Sequence, residues 1–240
     1  MTLRECYYRL QQKSDLKRSV QVLRKLEQKL TSPQTRLGIP FIFRGSGFFR
    51  RIRPIQSQWE IGELFRRVSD KSPKTVLEIG TCHGGTLYLW CQAAQPDALL
   101  ISLDLPGGKF GGGYRECRSE LYQEFKRSNQ QMKLIRADSH SEAARNEVRN
   151  ILNGQKVDFL FIDADHTYEG VKRDFELYSP LVAPGGIIAF HDVGPNPTDP
   201  SIEVPKFWNE IRPQFKNTVE LLSEVSGDRR IGIGVIELPS

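Results

Sequence analysis

Long apolar runs are missing from this chain: its 240 residues contain no stretch of 18 apolar residues, which excludes a membrane-spanning helix as a sequence reading. No positively charged segment followed by an apolar core opens it either, so a cytoplasmic protein is expected. Cysteine is sparse. Cys6, Cys82, Cys91 and Cys117 show neither paired metal spacing nor disulfide density, in keeping with a reducing compartment. Internal repeats and low-complexity tracts are absent. A hydrophobic content of 38% excludes a disordered polymer, and the length suits one α/β domain with an appendage.

Acidic residues are scarce at one end. Residues 1–55 hold 13 Lys or Arg against 3 acids, a balance of +10, so the remainder carries −5 of the net +5. The expected division is therefore a basic helical arm over 1–55 and a main domain over 56–240. Within the arm, Leu16, Val20, Leu23, Leu26 and Leu30 recur at helical spacing and predict a helix over 15–30 that packs on the domain or on a second subunit of a homo-oligomer. Aromatics alternate with arginines from Gly38 to Pro54. Such a stretch suits an anionic acceptor or the surface of a membrane; nucleic acid is the less favoured partner.

The most informative segment is Val76-Leu-Glu-Ile-Gly-Thr-Cys-His-Gly-Gly85. An apolar strand over 75–79 breaks at Gly80-Thr81 into a turn, and Gly84 and Gly85 open a helix over 86–94, with room for a ligand to approach the backbone. A dinucleotide fingerprint would need a glycine where Cys82 stands, and a side chain there would crowd a pyrophosphate. Glu78 suits a cationic ligand better than a polyphosphate. S-adenosylmethionine carries a sulfonium and an ammonium and no phosphate, and fits both constraints.

A second strand over 98–105 ends in Asp104, well placed to bond both hydroxyls of a ribose, although an aspartate before Pro106 is also an ordinary turn residue. A third strand over 132–137 precedes Asp138 and Ser139. These can meet an adenine edge or cap the helix that starts near Ser141.

These features resemble the class I S-adenosylmethionine-dependent methyltransferases over about residues 56–240. The resemblance implies a Rossmann-like fold: a mostly parallel seven-stranded sheet with helices on both faces and an antiparallel C-terminal hairpin. Strand-like runs over 218–225 and 231–238, joined by Ser226-Gly227-Asp228, agree with that hairpin. It also implies that the glycine turn holds the methionine part of the cofactor, and that 56–65 forms a helix covering it.

Two later strands carry polar ends. One over 157–162 delivers Asp163-Ala-Asp-His166, and one over 185–190 delivers His191-Asp192. Ligands of open parallel sheets bind at the carboxyl ends of strands, so both clusters are expected in the crevice with Glu78 and Asp104. Asp163, His191 and Asp192 offer two carboxylates and an imidazole to a divalent ion. Here the chain is similar to the metal-dependent O-methyltransferases, among them catechol O-methyltransferase, and to the cephalosporin-hydroxylase-like and sugar O-methyltransferase branches. The resemblance implies a metal at Asp163, His191 and Asp192. A histidine at 191, where catechol O-methyltransferase has an aspartate, weakens magnesium and favours manganese or iron, or dispenses with the metal; Asp165 is a substitute ligand. The bland alternative is that His191-Asp192 caps the sheet and Asp165-His166 starts a helix.

His166 stands where the resemblance implies a general base, and an imidazole beside a polarised hydroxyl has the chemistry for it. Its alternative is the start of the helix over 168–178. The five-glycine loop Pro106–Tyr114 reads equally as a lid or a connector. The expected activity is methyl transfer to a hydroxyl of a small molecule or sugar, with S-adenosylmethionine and a magnesium or manganese ion. An oxidative hydroxylase-like enzyme and a non-catalytic cofactor-binding module stay open beside it.

Overall fold

The computed structural model describes residues 3–107, 113–127, 129–196, 199–224 and 230–240. The chain begins with a long helix α1 (Leu3–Lys29), followed by two short helices, α2 (Pro33–Arg36) and α3 (Ile39–Ile42). Then α4 (Gln58–Lys71), β1 (Thr75–Ile79), α5 (Gly85–Ala93), β2 (Leu99–Asp104), α6 (Arg118–Gln123) and β3 (Gln131–Arg136) form the first half of the sheet domain. The second half runs α7 (Glu142–Leu152), β4 (Val157–Ile162), α8 (Tyr168–Tyr178), β5 (Val182–His191), α9 (Val204–Ile211), β6 (Thr218–Glu224) and β7 (Arg230–Glu237).

The seven strands form one sheet in the order β3-β2-β1-β4-β5-β7-β6. β1 pairs in parallel with both β2 and β4, whereas β7 lies antiparallel to β5 and β6. This is the expected mostly parallel sheet with a C-terminal hairpin; the Ser226-Gly227-Asp228 turn lies outside the described residues, as do residues 108–112 of the glycine loop. No helix among the described residues is long and apolar enough to cross a membrane.

Each strand face has its own core. Val76, Leu100, Phe159, Phe161 and Ala189 point to one side, towards α4 and α5. Leu77, Ile101, Leu160, Ile188 and Phe190 point to the other, towards α7, α8 and α9. The arm shares the first of these cores: Leu23, Ile39, Phe43, Phe49 and Ile52 are fully buried in one cluster with Leu64, Leu87 and Trp90. Leu16, Val20, Leu26 and Leu30 pack against that cluster, so the apolar stripe of α1 meets the domain of its own chain. Burying each such side chain stabilises by roughly 1.5–3 kcal/mol.

Two helix starts differ from the sequence reading. The first helix begins at Leu3 rather than Asp15, because no glycine or proline interrupts residues 3–14 and the Asp15 carboxylate is committed elsewhere. It accepts the Ser46 hydroxyl at 2.7 Å and sits 3.1 Å from Arg18. The helix expected over 56–65 starts at Gln58, because Ser57 and Glu60 form a capping box in which each side chain accepts the other's backbone N–H.

Candidate functional site

At β1 the strand order reverses: β2 and β3 leave to one side, β4 and β5 to the other. Connections diverge at such a point and leave a crevice beyond the strand ends. A cavity of about 340 Å³ occupies it. Gly80, Asp104, Asp138, Ser139, Asp163, His166, His191 and Asp192 all line this cavity. Of the other expected site residues, Glu78, Thr81, Gly84 and Gly85 do not.

The turn after β1 explains the difference. Gly80 has φ +88°, and a Cβ on it would lie 1.8 Å from the backbone oxygen of Asp163, so glycine is required by the neighbouring strand end as well as by conformation. A Cβ at Gly84 would lie 2.6 Å from the Tyr122 ring, and one at Gly85 would lie 2.2 Å from the Ile52 backbone oxygen. These two glycines therefore admit α6 and the arm against the turn, where the sequence reading had them admit a ligand. The Thr81 hydroxyl lies 2.5 Å from that of Ser102. Glu78 is fully buried on the α5 side, accepting the indole N–H of Trp90 at 2.9 Å, and burial pushes its pKa up to about 8. Its carboxyl is beneath the turn and largely protonated at neutral pH.

Four non-glycine residues among those described have positive φ: Ser72, Cys82, Asn153 and Asp192. Ser72 and Asn153 terminate α4 and α7, an ordinary use of the left-handed conformation. Cys82 and Asp192, with φ +45° and +60°, both line the cavity, and strain held at a cavity wall is a recurrent mark of functional sites. Cys82 donates its backbone N–H to Asp104 Oδ2 at 3.0 Å. Burial pushes Asp104 up to about 6, against backbone N–H groups that favour its ionised form.

At the next strand end, the Asp138 carboxylate accepts the His140 N–H at 2.9 Å and the Ser139 carbonyl accepts the Tyr178 hydroxyl at 2.7 Å. The cap of α7 is Ser141, whose hydroxyl accepts the Ala144 N–H, so Asp138 and Ser139 are left at the cavity wall. His140, unremarked in the sequence, joins them there, 3.4 Å from the fully buried Asp174.

The opposite end of the cavity is a compact group of acids and imidazoles. His191 Nδ1 lies 3.2 Å from Asp163 Oδ1 and 3.4 Å from Asp192 Oδ2. His166 reaches the same two oxygens, with Nε2 3.5 Å from Asp163 and Nδ1 3.4 Å from Asp192. Burial disfavours both imidazolium ions, but the two aspartates outweigh it and raise both histidines. Burial likewise disfavours the Asp163 carboxylate, and the histidines outweigh it and hold Asp163 below its usual range. One ligand atom each from Asp163, His191 and Asp192 lies within 4.8 Å of the others, a spacing that fits a divalent ion bound by two oxygens and one nitrogen.

Asp165, the substitute ligand, is occupied: its carboxylate accepts the Thr167 N–H at 2.9 Å and hydroxyl at 2.8 Å, and Thr167 caps α8. Helix initiation thus falls to Asp165 and Thr167, and His166 lines the cavity beside Asp163 and Asp192. Two residues of the site lay outside the expected set. Gln56 donates its amide to Asp163 Oδ2 at 2.6 Å, and Glu60 Oε1 lies 3.5 Å from His191 Nε2. The Ser57-x-x-Glu60 capping signature was visible in the sequence, but its second use was not.

Comparison with known proteins agrees with this architecture. Residues 77–193 match the family model of a methyltransferase domain. The chain is 28% identical over 143 residues to the protein y4gI of Sinorhizobium fredii, covering 58% of this chain and 15% of that protein. It is 32% identical over 140 residues to the protein R132 of Acanthamoeba polyphaga mimivirus, covering 58% of this chain and 61% of that protein. In both cases the matched part spans less than two thirds of the relative. Among solved structures, an O-methyltransferase from Bacillus cereus in complex with SAH aligns with a TM-score of 0.54 at 18% identity, covering 77% of this chain and 82% of that one. TomG from Streptomyces achromogenes, an O-methyltransferase involved in tomaymycin synthesis and bound to SAM, aligns with a TM-score of 0.54 at 14% identity, covering 94% and 99%. The chain thus has the fold of these O-methyltransferases, and its residues 77–193 are similar to a methyltransferase domain.

Proposed function

We propose that this chain transfers the methyl group of S-adenosylmethionine to a hydroxyl oxygen of a small molecule or sugar, with a divalent ion at Asp163, His191 and Asp192. The observation that carries the reading is that one cavity of about 340 Å³ is lined both by Gly80, Asp104 and Asp138 and by Asp163, His166, His191 and Asp192. A volume of that order is typical of small-molecule sites. The O-methyltransferases with SAH and SAM bound that share the fold support the choice of cofactor and reaction.

In this reading the Asp104 carboxylate accepts from the ribose hydroxyls and Asp138 with Ser139 meets the adenine edge. Gly80 lies on the wall of the same cavity. The cofactor supplies an electrophilic methyl and its own leaving group, so orientation of the acceptor accounts for most of what the protein must add. Asp163, His191 and Asp192 would hold the cation, which would supply Lewis acidity to an acceptor hydroxyl there. His166 takes the proton from that hydroxyl when its imidazole is neutral, and Gln56 donates to the Asp163 carboxylate. An imidazole in the ligand set favours manganese over magnesium.

Calorimetric titration of the protein with SAH, with a nicotinamide dinucleotide as control, tests the cofactor; elemental analysis of the purified protein tests the ion. Binding of the dinucleotide in place of SAH ends the methyltransferase reading.

A further inference from the structure

We propose that Arg118 is a positioning residue for the cofactor turn, holding residues 82–84 in shape and tying them to the basic arm. The inference rests on the proposed reading that the cavity, which Cys82 of this turn lines, receives the cofactor.

Arg118 opens α6, outside the cavity, and its guanidinium is spent on oxygen atoms that are not carboxylates. Nη1 donates to the Phe48 carbonyl. Nη2 donates to the Arg51 carbonyl at 2.6 Å and to the His83 carbonyl at 3.0 Å, and Nε donates to the Tyr122 hydroxyl at 2.9 Å. The Tyr122 hydroxyl in turn donates to the Cys82 carbonyl at 2.8 Å. One turn of helix thus places Arg118 and Tyr122 side by side, and together they take both successive carbonyls of the turn.

A peptide group is planar and trans, so fixing a carbonyl fixes the N–H that follows it in the opposite direction. The carbonyls of Cys82 and His83 point at α6; the N–H groups of His83 and Gly84 are therefore fixed as well. The Cys82 N–H is held by Asp104 from the other side. These constraints keep Cys82 at φ +45°, a conformation that non-glycine residues avoid and that would relax without them. The arm enters through the same side chain: the carbonyls at 48 and 51 share the guanidinium with the turn, and the Ile52 carbonyl lies against Gly85. Positive charge is useful here because each donor is charge-assisted, and a lysine cannot present this fork.

The test is calorimetric titration of the full chain with SAH, for wild type, Arg118→Met, Arg118→Lys and Tyr122→Phe, with and without millimolar guanidinium. Arg118→Met is expected to weaken SAH binding at least about tenfold, with guanidinium restoring much of the loss and Arg118→Lys falling between. Tyr122→Phe, which keeps the ring against Gly84 and removes only the hydroxyl, is expected to weaken binding in the same direction even if Arg118→Met fails to fold. Wild-type affinity in the folded Arg118→Met and Tyr122→Phe proteins overturns the proposal, and so does a loss that guanidinium does not relieve and that follows the melting of the protein. Wild type that binds no SAH overturns instead the reading of the turn as a cofactor site.

Discussion

The backbone N–H of Cys82 meets the carboxylate of Asp104 at 3.0 Å, joining the turn after β1 to the end of β2. The contact links a strained backbone to a buried acid, and both belong to the cavity wall. A carboxylate has further lone pairs for a ligand beyond the one given to Cys82.

Asp104→Asn is expected to weaken SAH binding by tenfold or more, since a hydrogen bond to a charged group is worth about 1.5–3 kcal/mol. With Asp104 pushed up to about 6, wild-type affinity should also fall as pH drops through that value, because the protonated acid accepts more weakly. Titration calorimetry at pH 5 and pH 8 checks both; an affinity in Asp104→Asn equal to wild type at pH 8 counts against the ribose assignment.

Asp163→Asn and Asp192→Asn should each strip divalent metal from the purified protein while leaving SAH affinity within a few-fold of wild type. The measurement is elemental analysis beside titration. Wild-type protein that takes up no manganese under saturating conditions, or variants with undiminished content, would remove the ion from the site.

Glu78 provides a stability signature with a definite sign. Its pKa is 4.5 ordinarily and about 8 when folded, so the folded state binds the extra proton between those values. Below about pH 4.5 the residue exerts no penalty; as pH rises towards 8, stability is lost at up to about 1.4 kcal/mol per pH unit. Glu78→Gln removes the titration. The unfolding midpoint of the variant relative to wild type should therefore rise from pH 5 to pH 8, and parallel curves would refute the burial argument.

Leu23→Ala should destabilise the whole protein by about 2–5 kcal/mol, the usual range for a buried leucine truncated in a core. Urea unfolding would show one shifted transition, because Leu23 shares a cluster with Leu64, Leu87 and Trp90. A shift below about 0.5 kcal/mol, or an early separate transition of the arm, would mean that α1 is dispensable to the domain.

The strands were readable because a parallel sheet covered on both faces shows as short continuous apolar runs. β1 and β4 have the bounds that their apolar runs imply, and the polar residues following β4 and ending β5, Asp163 and His191, fall in the crevice that the strand order creates. The same continuity hides direction. Val76 and Leu77 are equally apolar, so nothing in the run tells which face position 78 will join, and Glu78 was expected at a ligand while it lies against Trp90. The glycines at 84 and 85 read as space, and only the tertiary arrangement of Tyr122 and Ile52 says what fills it.

By itself the sequence determined the fold class, the acidic strand ends and the nature of the chemistry they can support, because periodicity, strand length and side-chain type are local properties. The tertiary structure decided which groups meet. Gln56 reaches Asp163 and Glu60 reaches His191 across more than a hundred residues of chain, and Arg118 joins the arm to the turn; none of these pairings leaves a mark in the sequence. They depend on how helices from separate parts of the chain pack over one sheet, where burial of apolar faces sets the geometry and the polar contacts follow from it.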